Sequence, residues 1–215
     1  MHMTASNAKT RILQKLRDAR TPLDTNTDPA PVYHWARIAS PIEQFEVLLT
    51  ANHAVVFNIS ETEIEQQIRS IVQERGFRCV LASDRVREQH PNLKQITDAL
   101  PEGNIEAWKE FLFNDVEVGI TSAICAIATT GTIVMRPGPD EPRSLSLVPP
   151  CHIVIVREET LFNDFAEVIH TQSWKNNMPT NMVLVSGPSK TADIQQTLAY
   201  GAHGPRELFV LFIRK

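Results

Sequence analysis

Residues 54–82, AVVFNISETEIEQQIRSIVQERGFRCVLA, decide the fold. The run from Ala54 to Ile59 is rich in β-branched and apolar residues and predicts a buried strand. Ser60 follows in a helix-capping position, with Glu61 and Glu63 where the positive end of the helix dipole favours carboxylates. Ile64, Ile68, Ile71 and Val72 then recur at helical spacing on one face, and Gly76 stands where a left-handed residue ends a helix. Cys79 to Ala82 supplies the next apolar strand. Strand, helix and strand in this succession make a βαβ unit, for which a right-handed parallel crossover is strongly preferred. The class this implies is α/β.

Upstream, Phe45, Leu48 and Leu49 mark a helix that precedes the first strand. Further back, Ile12, Leu13 and Leu16 form one stripe among Lys9, Arg11, Lys15 and Arg17, which reads as an amphipathic helix with a solvated basic side. Pro22, Pro29 and Pro31 break the stretch between them into an irregular connector. The expected organisation is therefore an N-terminal helix and linker over residues 1–31 and an α/β domain over residues 32–215.

Downstream, the polar interval 83–113 carries Pro91, Pro101 and Gly103 and one short helix around Trp108 to Phe113. Val116 to Thr121 reads as a strand, Ser122 to Thr130 as a stretch of small residues, and Thr132 to Met135 as a strand hinged at Gly131. A Pro/Gly-rich loop spans Arg136 to Pro142, and Pro149 and Pro150 interrupt regular hydrogen bonding before a strand from His152 to Val156. Leu161, Phe165, Val168 and Ile169 have helical spacing; Met182 to Val185 and Leu208 to Ile213 are the last strands.

With 21 basic and 25 acidic residues, the formal net charge of −4 supplies no electrostatic excess for nucleic acid or an anionic membrane surface. No apolar run approaches the roughly 20 residues that cross a bilayer, so a cytoplasmic location is expected. Cys79, Cys125 and Cys151 are odd in number and widely spaced, which predicts reduced, packed thiols; neither they nor the seven histidines form a close ligand cluster for zinc or iron–sulfur.

Chemistry concentrates in Met182-Val-Leu-Val-Ser-Gly-Pro-Ser-Lys-Thr-Ala-Asp-Ile194, which reads as strand, tight turn and helix start. The free N–H groups of such a helix, aided by Ser189, Lys190 and Thr191, would suit a carboxylate or phosphate beyond a strand's C-terminal end. The same pattern also arises without a ligand: Gly187-Pro188 turns the chain, Ser189 or Thr191 caps the helix and Asp193 favours its first turn. The helix would end at Tyr200-Gly-Ala-His-Gly-Pro205, where His203 is the residue that turn geometry leaves unexplained. A second constellation, Gly119 to Thr132, groups Thr121, Thr130, Gly131 and Thr132 after a strand, either around a ligand, with the three hydroxyls as hydrogen-bonding groups, or in close helix–strand packing. Arg143 and His152 flank the Pro-rich loop and are additional candidates, with an ion pair and a strand-end histidine as their simpler roles.

In these segments the chain resembles the lactate-utilisation protein C family, whose domain is termed LUD (LutC/YkgG-like). The resemblance is carried by Gly119-Ile-Thr121, Ile127-Ala-Thr-Thr-Gly-Thr-Ile-Val134, Pro149-Pro-Cys-His-Ile153, Gly187-Pro-Ser-Lys-Thr-Ala-Asp-Ile194 and Gly201-Ala-His-Gly-Pro205, in matching order and spacing. It implies a three-layer α/β/α fold with a mostly parallel sheet, like the NagB/RpiA/CoA-transferase group. It also implies a part in oxidising L-lactate to pyruvate beside iron–sulfur proteins, with the clusters in those partners and no cofactor in this chain. Thr129 stands where the family often has an acidic residue before Thr-Gly-Thr, so acid–base or covalent carboxylate chemistry does not transfer, and no catalytic nucleophile is assigned. Two functions follow as expectations: a non-redox subunit that binds a small carboxylate or phosphate, or a free-standing enzyme acting on a phosphorylated sugar, nucleotide or CoA-type ester. In the first, the metabolite would contact Ser189, Lys190, Thr191 and His203, with Thr130 and Gly131 opposite.

Overall fold

The stripe of Ile64, Ile68 and Ile71 is buried, as the reading of residues 54–82 requires. A computed structural model of the chain describes residues 5–19, 39–103, 105–174, 176, 178–192, 198–201 and 203–215. Two compact units are distinguished, Met1–Tyr33 and His34–Lys215. In the first, helix α1 (Ala5–Asp18) carries Ile12, Leu13 and Leu16 exposed.

The second unit opens with α2 (Pro41–Ala51), then β1 (Val55–Ile59), α3 (Ile64–Arg75), β2 (Val80–Ala82), α4 (Asp84–Gln89) and α5 (Ile105–Asn114). It continues through β3 (Val118–Ser122), β4 (Cys125–Ile127), β5 (Thr132–Met135), α6 (Arg143–Leu147), β6 (Cys151–Arg157), β7 (Leu161–Phe162), α7 (Phe165–Thr171) and β8 (Val183–Val185). The last elements are β9 (Lys190–Ala192), β10 (Leu198–Tyr200) and β11 (Glu207–Ile213). The start and stop of α3 follow local chemistry. Ser60 and Glu63 form a reciprocal capping box ahead of it, and Gly76 closes it at φ +69°.

Five strands in the order β1-β11-β6-β3-β2 form a wholly parallel sheet. The βαβ expectation is met in direction, yet β1 and β2 occupy opposite edges with three strands between them. Alternation along the strands sends Ile153, Ile155, Phe209 and Leu211 to a face covered by α3 and α4, through Ile68, Ile71 and Val86. Val154, Val156, Val210 and Phe212 point the other way, where Phe45 and Leu49 of α2 pack, with the Phe45 and Phe212 rings 5.5 Å apart.

That second face also receives a four-stranded sheet, β7-β4-β5-β8, in which β5 runs antiparallel to β4 and β8. Ala126, Ile133, Met135 and Val183 join its core to that of the parallel sheet. The small-residue stretch after β3 is thus partly a strand, β4, whose residues Cys125, Ala126 and Ile127 are all buried. At the β2 edge, Trp108 and Leu112 of α5 and Leu145 of α6 pack with Leu81. No helix among the described residues is long and apolar enough to cross a membrane.

Candidate functional site

At the N-terminal ends of β6 and β11, α6 and the segment after β8 enclose a cavity of about 220 Å³. Its walls are built from two directions. Gly119 in β3 lets α6 lie directly on the strand, since a Cβ there would sit 2.0 Å from the Leu145 carbonyl oxygen. This places Ser146 and Leu147 on one wall. The chain leaving β8 supplies the opposite wall, with Ser186, Gly187 and Ser189 beside His203 and Pro205.

Ser189 ties this wall together. Its N–H donates to the Pro205 carbonyl at 2.8 Å, its carbonyl accepts from Gly201 N–H at 3.0 Å, and its Oγ accepts from His203 N–H at 3.3 Å. These contacts correct the expectation of a helix after Ser189. The described residues on both sides form an antiparallel hairpin, with Lys190 opposite Tyr200 and Ala192 opposite Leu198, so there is no helix N-terminus at Ser189 to attract an anion. The backbone groups that a helix start would leave open are committed to the returning chain, which Gly201 admits at φ +82°.

The floor is His152, 1% exposed, whose Nε2 lies 2.8 Å from the Thr121 hydroxyl. Both residues sit on the second face of the parallel sheet, and His152 is in register with Gly119 and Leu208 on its neighbours. A chain of hydroxyls reaches the cavity from the second sheet: Thr130 to Thr132 at 2.7 Å and Thr132 to Ser186 at 2.8 Å. The two constellations of the sequence reading therefore meet through the candidate Thr132 and through Ser186, which, like the lining residue Ser146, was not among its site candidates. Ser186 was discoverable as a polar residue ending an apolar strand. Ser146 was not, because its position depends on α6 resting on Gly119.

Gly187, Ser189, His203 and His152 line the cavity; Thr121 and Thr130 lie one hydrogen bond or more behind it. Gly131 forms the turn between β4 and β5 at φ +58°, where its missing Cβ makes room for Leu48. Lys190 and Arg143 are exposed and absent from the lining, Thr191 belongs to β9, and Asp193 lies outside the described residues. The location also differs from the expected one: the cavity is at the C-terminal end of β8, but β8 belongs to the mixed sheet, and the parallel strands present their N-terminal ends here.

No Lys, Arg, Asp or Glu among the described residues lines this space; it is walled by hydroxyls, imidazoles and apolar groups such as Leu184, Pro188 and Leu208. Burial pushes the His152 imidazole down to about 3, so the floor is neutral at physiological pH. An unfolded imidazole takes up a proton near 6.5, so between there and about 3 the unfolded chain binds more protons and stability drops as the pH is lowered. A loss of about 2 kcal/mol from this residue is expected between pH 7 and pH 5. Urea melts at the two pH values check it: His152→Gln should flatten the dependence, whereas an unchanged slope would assign it elsewhere.

A second polar cluster, unnoticed in the sequence, occupies the C-terminal ends of β2 and β3. Glu141, 3% exposed, accepts hydrogen bonds from Ser122 N–H at 2.5 Å and from the Ser83 and Ser122 hydroxyls at 3.2 Å. Arg85 reaches it at 2.7 Å and also grips Asp140 through Nε and Nη2. Burial raises the Glu141 carboxyl, opposed by Ser122 and Arg85. With both oxygens engaged by protein groups, this carboxylate anchors the loop 136–142.

Cys125 and Cys151 are buried free thiols pushed up to about 12 by burial, so they are protonated and poor nucleophiles. No group of three or more His, Cys, Asp or Glu side chains among the described residues is placed to hold a metal.

The fold is that of an α/β domain, and the LUD domain family matches residues 42–213; the chain belongs to that family. An uncharacterized protein of Neisseria meningitidis serogroup B is 34% identical, covering 96% of this chain and 94% of its own. Lactate utilization protein C of Halalkalibacterium halodurans is 30% identical over 73% of this chain and 71% of its own. Its namesake in Oceanobacillus iheyensis is 26% identical over 81% and 82%. Among solved structures, a DUF162 family protein from Deinococcus radiodurans has the same fold, with a TM-score of 0.61 at 23% identity over 84% of this chain and 100% of that one.

Proposed function

We propose that this chain serves L-lactate utilisation as a non-redox component of the system that oxidises lactate to pyruvate, and that its cavity binds a small carboxylate. The relatives named lactate utilization protein C support the setting. The observation that carries the binding role is the convergence of Ser186, Ser189, His203 and buried His152 on one small space. In this reading electron transfer falls to iron–sulfur partners in the cytoplasm, in keeping with the wide sequence spacing of Cys79, Cys125 and Cys151. The size favours a metabolite over a nucleotide or CoA-type ester: about 220 Å³ lies below the roughly 300–1,000 Å³ usual for sites of drug-sized ligands. A monocarboxylate also fits the absence of a fixed cation from the described lining better than a phosphate dianion, whose desolvation would go uncompensated.

Deleting the gene should abolish growth on L-lactate and leave growth on glucose unchanged. The wild-type gene should restore it, and a Ser186→Ala/Ser189→Ala gene should restore it poorly. Normal lactate oxidation in the deletion strain, with no paralogue to compensate, would reject the role.

A further inference from the structure

The cavity floor is an imidazole that the folded chain leaves half-used. His152 is buried on the second strand position of β6, and its one hydrogen bond among the described residues joins Nε2 to Thr121. The Thr121 hydroxyl has a single proton and two neighbours, Nε2 at 2.8 Å and the Met135 sulfur at 3.4 Å. An imidazole nitrogen is a much stronger acceptor than a thioether sulfur, which favours the arrangement in which the hydroxyl donates to Nε2 over the one in which it accepts from Nε2–H and donates to Met135. A neutral ring that accepts at Nε2 carries its own proton on Nδ1, and burial holds the ring neutral. That arrangement gives an N–H donor to a residue that lines the cavity.

The rest of the space assigns the two ends of a ligand. A carboxylate retains most hydration at the rim, where Ser189 and exposed His203 stand, and would be costly at the floor. The floor therefore suits an uncharged oxygen, and the apolar wall of Leu184, Pro188 and Leu208 suits a short carbon skeleton. About 220 Å³ is the space of roughly seven waters at about 30 Å³ each, enough for a three- or four-carbon acid with some solvent.

We propose that His152 is a specificity-determining residue that donates from Nδ1 to the oxygen on C2 of a short 2-hydroxy or 2-oxo monocarboxylate, with Thr121 as the positioning residue that fixes its tautomer. The inference rests on the small-carboxylate reading above and adds the group that separates such acids from their deoxy analogues. A ligand without the C2 oxygen leaves the buried donor unpaired, and sites of this kind discriminate strongly against such analogues.

The full-length protein, labelled with ¹⁵N-histidine, is titrated with L-lactate, pyruvate, propionate and inorganic phosphate. L-Lactate and pyruvate should bind at least about tenfold tighter than propionate, equivalent to about 1.4 kcal/mol, with phosphate weaker still. The His152 nitrogens should show the Nδ1–H tautomer and shift on binding. His152→Leu should bind L-lactate and propionate alike, and Thr121→Val should populate the other tautomer and narrow the preference. If His152→Leu does not fold, the wild-type preference and the Nδ1 shift decide. Equal affinity for propionate, or His152 signals unmoved at saturation, would overturn this inference and leave carboxylate binding intact. Failure of every acid to bind would overturn both.

Discussion

Replacing Glu141 with alanine is expected to lower the unfolding free energy by about 3–5 kcal/mol, the cost of removing one member of a buried ionic cluster. The wild-type carboxylate receives the Ser122 N–H, two serine hydroxyls and Nη1 of Arg85. Alanine would leave the Ser122 N–H without its acceptor and Arg85 with only Asp140, in a pocket too enclosed for water to compensate fully. Because Ser122 ends β3 and Ser83 caps α4, the loss reaches the parallel sheet as well as the loop that bears Glu141. Glu141→Gln keeps the volume and one acceptor oxygen and should cost less, about 1–3 kcal/mol. Urea denaturation measures both. An alanine variant within about 1 kcal/mol of the parent would show that the loop is dispensable to the sheet.

Gly119→Ala should be nearly as damaging for a different reason. The added methyl would meet the Leu145 carbonyl oxygen at 2.0 Å and its carbon at 3.1 Å, both backbone atoms of α6 that no rotamer change can move. Overpacking of this severity costs about 3 kcal/mol or more, and here the relief available is displacement of α6. That displacement carries Ser146 and Leu147 away from the cavity, so carboxylate affinity should fall along with the melting temperature. Gly76→Ala is the contrasting case: a Cβ there meets nothing within 4 Å, and the cost reduces to about 1–2 kcal/mol for a left-handed backbone at φ +69°. If the two alanine variants melt together, the close contact at Gly119 is relieved without moving α6.

How far the sequence could be read depended on whether the constraint was local. The span from Ser60 to Gly76 was legible because cap, apolar stripe and left-handed stop all lie within the helix they define. The strands β3, β6 and β11 were legible as apolar runs for the same reason. Residues 190–200 misled because Ser189 resembles a cap locally, while its backbone partners, Pro205 and Gly201, are set by the return of the chain. Periodicity could not reveal that β4, β5 and β8 form a second sheet, since strands in one sheet and strands in two have the same alternation. Within the site, Gly187, Ser189, His203 and His152 were visible as unusual residues in turns or at a strand end. Glu141 was hidden in a Pro/Gly-rich loop, and its importance comes from Ser83, Arg85 and Ser122, all remote in sequence.

The position of β11 between β1 and β6 has a consequence for synthesis on the ribosome. A nascent chain that has reached residue 206 holds β1 with its sheet-side hydrogen-bonding partner still unmade, because β1 pairs with β11 alone in the parallel sheet. Val55 and its neighbours must wait for Glu207–Ile213 to emerge from the exit tunnel, so the sheet closes only after translation has passed the final strand. During that interval the growing polypeptide exposes an open strand edge on each side of the gap, a natural substrate for chaperones that shield unpaired backbone.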